Sequence, residues 1–488
     1  MKRFFRSIAP IGQLTPEAIE DIWGDALRVL AECGAEMRDD AACATLAGIG
    51  AEVSGTRVRF DPGLVAEMLA SAPEAAVLRA RDPANDAGIG GMESIAAPLY
   101  GATHVLDENG NRRRGLLADV HAFHDLVQAA PELQNAGANI VEPTDVAPAL
   151  RHLHTMRSVL TRTDKAFMPV TSSRDPEVSA LGLAGVRARD SLEMARIALG
   201  EGFGRGPSMI GVATCLDALS WAGPALEAIR LFAEAGQAVI LAPFAVAGQN
   251  AAPEPSALLT QITAEILAAA IYAQAVRPGT PVLFGPHFML AAAGGVKVSA
   301  GADTDLMIMA SGQLARRARL PFRAVGGLTG AKTFDAQAGA EAEGSLTASL
   351  LAGAHFLFHG AGWLDCGLTV SRAKFAFDCA ALAEAARRHA GLHLTRGGVA
   401  RALLCGWGPG VDHAARSGTA EAMAEFYAAA PVADHLGWDD WVAQGAKGAD
   451  ARAAGVADGM IAEPLPLPED RTEALDDFIT RRTRELGG

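Results

Sequence analysis

Aromatic residues are scarce in this chain, 6 % of 488 positions. A site that relies on aromatic faces can therefore be only partly aromatic. Cysteine is also thin: Cys33, Cys43, Cys215, Cys366, Cys379 and Cys405 are scattered, and no CxxC pair occurs. That usage belongs to a reducing compartment and excludes a disulfide framework. Basic residues are outnumbered 42 to 56, for a net charge of -14. A surface so acidic repels nucleic acid and anionic membrane. The longest apolar run, "LLTQITAEILAAAIYAQAV", is broken by Gln261 and Glu265, so no membrane span is expected. The opening "MKRFFRSIAPIGQLTPEAIEDIW" has no apolar secretory core and leads into a helix with Thr15 as N-cap and Pro16 at its first position. A cytoplasmic location is expected. No repeat or low-complexity linker is visible. Composition leaves both a monomer and a homo-oligomer open.

Half of the residues are hydrophobic, ample for a large core. Residues 15–92 alternate Ala-rich helical patterns with the short strand "TRVRF". A hairpin follows, turning at the Asn-Gly of "ENGN". From about 119 the rhythm changes to short apolar runs, each followed by a helical stretch: "NAGANIVEP", "AFMPVTSS", "SMIGVATCLD", "AVILAPFAVAG", "PVLFGPHFM", "FRAVGG" and "HFLFHG". Continuous apolar strands are buried on both faces, hence a parallel sheet wrapped by helices. The spacing predicts an α/β fold, a (β/α)8 TIM barrel with additional, mainly helical N-terminal and C-terminal segments. The divisions are 1–118 for the N-terminal helices and hairpin, 119–395 for the barrel and 396–488 for a helical extension. The eighth strand is placed either in the N-terminal hairpin or beyond residue 390. An open doubly wound sheet is the alternative.

In such a barrel, chemistry sits where strands end. In "HFLFHGAGWLDCGL" (355–368) the period of two puts His355, Leu357 and His359 on one face. His359 ends the strand and belongs to the pocket, whereas His355 lies deeper and reads as a hydrogen-bonded core residue. Together with Asp365 and Cys366 the two histidines suggest zinc. On a strand, however, their rings are separated by roughly 13 Å along the chain, so no metal site is expected. "VGGLTGAKT" (325–333) approaches a phosphate loop but has Ala331 where the glycine before Lys332 is needed. Just after it, Asp335 is placed to cap a helix. Gln337 and Glu341 share a face of that helix, which looks either into the barrel mouth or into water.

Three stretches resemble the trimethylamine:corrinoid methyltransferase family: "YGATHVLDENGNRR" (100–113), "DAQAGAE" (335–341) and "HGAGWLDCGLTVSRAKFAFD" (359–378). With the helical start and the strand rhythm, the likeness spans about 15–395. It implies a barrel that moves a methyl group from an amine to the cobalt of a separate corrinoid-binding protein, with no tightly bound cofactor of its own. The trimethylamine enzymes of the family carry pyrrolysine after the sixth strand. Here the loop from Gly327 to Lys332 holds only ordinary residues. Cys379 also stands where the family has an acidic residue. Relatives without pyrrolysine include enzymes for quaternary amines such as glycine betaine, and this branch is the expectation.

A quaternary nitrogen is already charged, so a neutral amine can leave, and Co(I) is itself the nucleophile. The protein's work is then positioning and electrostatics. Expected catalytic residues are His359, Glu341 and Gln337. Expected substrate-binding residues are Tyr100, Phe244, Phe288, Phe358 and Trp363 as aromatic faces for a cation, with His287 and Lys332, and His359 beside them, for a carboxylate. Two other readings stay open: a barrel that passes methyl directly to a folate, and one that binds amines without turnover.

Overall fold

The computed structural model describes residues 4–291, 297–392, 399–415, 420, 423, 430–463 and 465–487. Its first helix, Pro16–Glu32, is capped as the sequence indicates: the Thr15 side chain accepts from the Ala18 N–H, and Pro16 occupies the first turn, where no N–H is needed. The hairpin pairs His104–Leu106 with Arg112–Arg114. Gly110 supplies the positive φ of its turn, 77°, and Asp107 Oδ1 accepts from the N–H groups of Asn109 and Asn111.

The centre of the molecule is a succession of parallel neighbours. Strand Phe356–Phe358 lies between Arg323–Val325 and Glu93–Ala96. Phe322 bridges Phe284, strand Val282–Phe284 pairs with Ala238–Ala247, and that strand pairs with Ile210–Cys215. Met209 bridges Phe167, and Ala166 bridges Asn135. The N–H groups of Gln134 and Asn135 then donate to the Ala96 carbonyl, so the succession returns to the strand where it began. Helices Leu117–Ala129, Arg151–Arg162, Ala184–Leu199, Gly223–Glu234, Pro255–Val276, Ala302–Arg317, Ala336–Leu351 and Arg372–Ala390 follow these segments in turn.

Burial on both strand faces is visible residue by residue. Ile95, Ile210, Ile240, Leu283, Phe356 and Phe358 pack together on one side, while Val239, Leu241, Phe284 and Leu357 pack toward the helices on the other. Helix Pro255–Val276 is apolar and long enough to cross a membrane, yet 78 % of its apolar window is buried in the fold. Its Glu265 is spent locally, accepting from the Leu219 N–H and from Gln261. The segment next to strand Phe356–Phe358 is Glu93–Ala96, upstream of the hairpin and not in either place the sequence suggested. Only four residues long and preceded by "GIGGM", it carries no period to read.

Beyond the parallel array, helix Glu469–Glu485 buries Leu475, Phe478 and Ile479. It is pinned by Arg482 to Asp190 at 2.8 Å and by Asp476 to Arg157 at 2.6 Å.

Candidate active site

Strand Phe356–Phe358 ends in a sharp turn. His359 has φ 61°, in the left-handed region that costs a residue with a Cβ about 1–2 kcal/mol. Regular alternation would send its side chain to the face of Leu357. The turn instead lays the imidazole on the Phe358 ring, with centroids 3.9 Å apart and planes 22° from parallel. Neighbours hold this conformation. The Tyr100 N–H donates to His359 Nδ1 at 3.2 Å, and the Gly360 N–H donates to the Ala97 carbonyl at 2.8 Å.

Other rings converge from neighbouring strand ends. Trp363 lies 4.5 Å from His359 and His287 lies 5.9 Å from it, edge-on. Phe244 and His287 are register partners on parallel strands, and their rings stack at 5.0 Å. Tyr100 lies 5.9 Å from Phe358.

Two guanidiniums join the cluster. Arg323 sits over Phe358 at 4.7 Å, and Arg174 over Trp363 at 5.0 Å. Arg323 is 2 % exposed and donates to the Pro286 carbonyl at 3.0 Å. Arg174 donates to the Cys366 carbonyl at 3.1 Å. Burial, reinforced by the Arg174 charge, lowers Arg323 to about 9; burial lowers Arg174 to about 10. Both stay charged near neutrality. Burial and these two charges hold His287 and His359 well below the usual histidine value, so both imidazoles are neutral. Because His359 Nδ1 accepts, its proton is on Nε2.

A supporting layer fixes Trp363. Its indole N–H donates to the Thr329 carbonyl at 3.1 Å. Glu341, from helix Ala336–Leu351, accepts from the Thr329 hydroxyl at 2.6 Å, the Gly330 N–H at 2.8 Å and Gln337 Nε2 at 3.0 Å. The Cys366 N–H also donates to Thr329 O, and Asp365 N–H donates to Ala331 O, joining the two loops.

Of the residues singled out from the sequence, the structure brings together His359, Phe358, Trp363, His287, Phe244 and Tyr100. Phe288 is buried on the other strand face, packed toward the helices, because it follows His287 directly on the strand. Lys332 lies outside: its side chain is 71 % exposed, donating to Gly330 O and 3.5 Å from Asp365. Gln337 is exposed and, among the described residues, reaches the cluster through Glu341. His355 is tied at the opposite strand end, where its Nδ1 accepts from the Phe322 N–H. Asp335 caps its helix by accepting from Ala338 N–H. Among the described residues no three His, Cys, Asp or Glu side chains are grouped to hold a metal. The sequence reading passed over Arg323 and Arg174. The available signal was an arginine inside the apolar run "FRAVGG" and another closing "VTSSR".

Parallel strands alternating with helices, with polar and aromatic groups gathered at the strands' C-terminal ends, define an α/β enzyme. Residues 1–487 match the family model described as trimethylamine methyltransferase (MTTB). The chain belongs to that family and is a methyltransferase. It is 30 % identical over 479 residues to a glycine betaine methyltransferase of Desulfitobacterium hafniense strain Y51, covering 97 % of this chain and 98 % of the relative. Identity to the trimethylamine methyltransferase MttB of Desulfitobacterium hafniense strain DSM 10664 / DCB-2 is 26 % over 485 residues, covering 96 % and 94 %. The fold resembles that of the Methanosarcina barkeri monomethylamine methyltransferase MtmB, with a TM-score of 0.54 and 10 % identity, covering 98 % of this chain and 89 % of that one.

Proposed function

We propose that the protein moves a methyl group from a quaternary amine such as a betaine to the cobalt of a separate corrinoid-binding protein. The observation that carries this reading is the gathering of the Phe244, Phe358, Trp363 and Tyr100 rings with two neutral imidazoles at the strand ends. Ring faces attract a soft cation. The loop from Gly327 to Lys332 contributes only ordinary side chains, none suited to form an adduct with a neutral amine. A permanently charged nitrogen needs no such adduct. The similarity to a glycine betaine methyltransferase supports the same choice.

The docked Co(I) donates the electron pair that forms the new Co–C bond. The C–N bond breaks, its pair stays on nitrogen, and a neutral tertiary amine leaves. No proton moves, so the chain's residues act by holding and aligning the methyl group and by excluding water. Trp363, tilted against His359 and held by Thr329, forms one wall. His359 offers Nε2–H as a neutral donor.

The parallel succession supports a (β/α)8 barrel as the scaffold, beginning at Glu93 and preceded by the N-terminal helices. Six cysteines without a disulfide support a reducing, cytoplasmic setting. The test mixes the protein with cob(I)alamin and, separately, trimethylamine, glycine betaine, carnitine, choline and proline betaine, and follows the absorbance change on methylation of cobalt. Methylation from at least one quaternary amine and none from trimethylamine is expected. Methylation from trimethylamine alone overturns the reading. Methyl transfer to tetrahydrofolate without cobalamin favours the folate alternative, and binding without turnover favours the binding-protein alternative.

A further inference from the structure

We infer that Arg323 and Arg174 select substrates that carry a carboxylate: they form the anion-binding end of the site whose rings hold the ammonium. This rests on the methyl-transfer reading above and goes further, by assigning specificity to two residues.

Buried charges in proteins are normally paired, because an uncompensated ion in a low-dielectric interior is costly. Here Arg323 is fully buried, and Arg174, half-buried by accessible surface, lies close enough to repel it. The groups acting on Arg323 are burial and the repulsion from Arg174; those on Arg174 are burial and the Cys366 thiol. No carboxylate figures for either among the described residues. Among the described residues Arg323 Nε has no hydrogen-bond partner, and neither does Nδ1 or Nε2 of the adjacent His287, which is 5 % exposed. Arg323 Nη1 is satisfied by backbone carbonyls, so the guanidinium is anchored while its Nε is left over.

This concentration of unmatched positive charge and orphaned polar atoms lies against the rings that suit a cation: Arg323 over Phe358, Arg174 over Trp363. A purely cationic amine entering here meets two like charges. A zwitterion brings its own counter-ion. Its carboxylate accepts from a guanidinium in a charge-assisted bond, and its trimethylammonium faces the rings. Either half alone fits less well than both together.

The test is calorimetric binding on the full chain, using glycine betaine, choline and acetate. Choline has the same trimethylammonium group with a hydroxyl in place of the carboxylate. Betaine is expected to bind at least tenfold more tightly than choline, and acetate to compete with betaine. Arg323→Gln is expected to shrink the betaine–choline gap to less than threefold, and Arg174→Gln to narrow it. Equal binding of betaine and choline by the unaltered protein overturns the inference. So does an unchanged gap in a folded Arg323→Gln variant. If that variant does not fold, Arg174→Gln with an unchanged gap and no acetate competition overturns it. A clear gap with no cobalt methylation contradicts the methyl-transfer reading alone. Choline demethylated as fast as betaine contradicts this inference alone.

Discussion

The indole N–H of Trp363 donates to the Thr329 carbonyl, and Glu341 grips the Thr329 hydroxyl on the other side. One carboxylate on a helix thus sets the position of a ring that touches His359. Glu341→Ala leaves the Thr329 hydroxyl and the Gly330 N–H without their acceptor, at a cost of about 1–3 kcal/mol. Methyl transfer should fall with it, and Trp363 should become more mobile. Urea unfolding and tryptophan fluorescence anisotropy read the two effects; a variant with unchanged stability and anisotropy removes Glu341 from this role.

His359 separates ring chemistry from backbone strain. Asparagine tolerates the left-handed region better than alanine does. Both His359→Asn and His359→Ala should lower kcat/KM at least tenfold, about 1.4 kcal/mol. The alanine variant alone should lose additional stability, about 1 kcal/mol. An asparagine variant with native kinetics would place His359 outside the site.

Lys332 is solvent-exposed and sits beyond the ring cluster. Lys332→Ala should leave kcat/KM within twofold of the native value and stability within about 0.5 kcal/mol. A tenfold loss of activity would bring the residue into the site and demand a rearranged loop.

Acid should destabilise the fold partly through His124. It is fully buried, its Nε2–H donates to the Ala138 carbonyl, its Nδ1 pairs with the Ser158 hydroxyl, and burial lowers it to about 3. A depressed histidine binds fewer protons folded than unfolded. Its contribution is therefore complete above the ordinary value of 6.5 and is lost as pH falls toward the folded value. Between pH 5.5 and 4.5, His124→Gln should reduce the slope of stability with pH by about one proton, about 1.4 kcal/mol per pH unit. Denaturant titrations of both proteins across that range measure it; identical slopes would contradict the assignment.

The alternation of apolar runs and helices was legible because double burial leaves little choice of residue along a strand. Ile240 and Leu241 face opposite sides and both had to be apolar. Glu93–Ala96 was not legible, since four residues beside a glycine cluster show no period. Within the site, His359, Trp363 and His287 were readable as polar or aromatic groups at strand ends. The contact of His359 with Phe358 was not, because one residue in the left-handed region reverses the side chain and no pattern announces it. Arg323 was overlooked for a related reason: a three-residue strand gives too few positions to mark a single charge as out of place. Phe288 was expected in the site as an aromatic at a strand end, but it follows His287 directly and adjacent strand residues point apart.

The most direct measurement of the central claim is product analysis by NMR, with cob(I)alamin and methyl-13C-labelled glycine betaine supplied to the protein. The account predicts dimethylglycine appearing one-to-one with labelled methyl on cobalt, and no such product when trimethylamine replaces the betaine and dimethylamine is sought. Dimethylamine formed from trimethylamine, with the betaine and the other quaternary amines left intact, would contradict it.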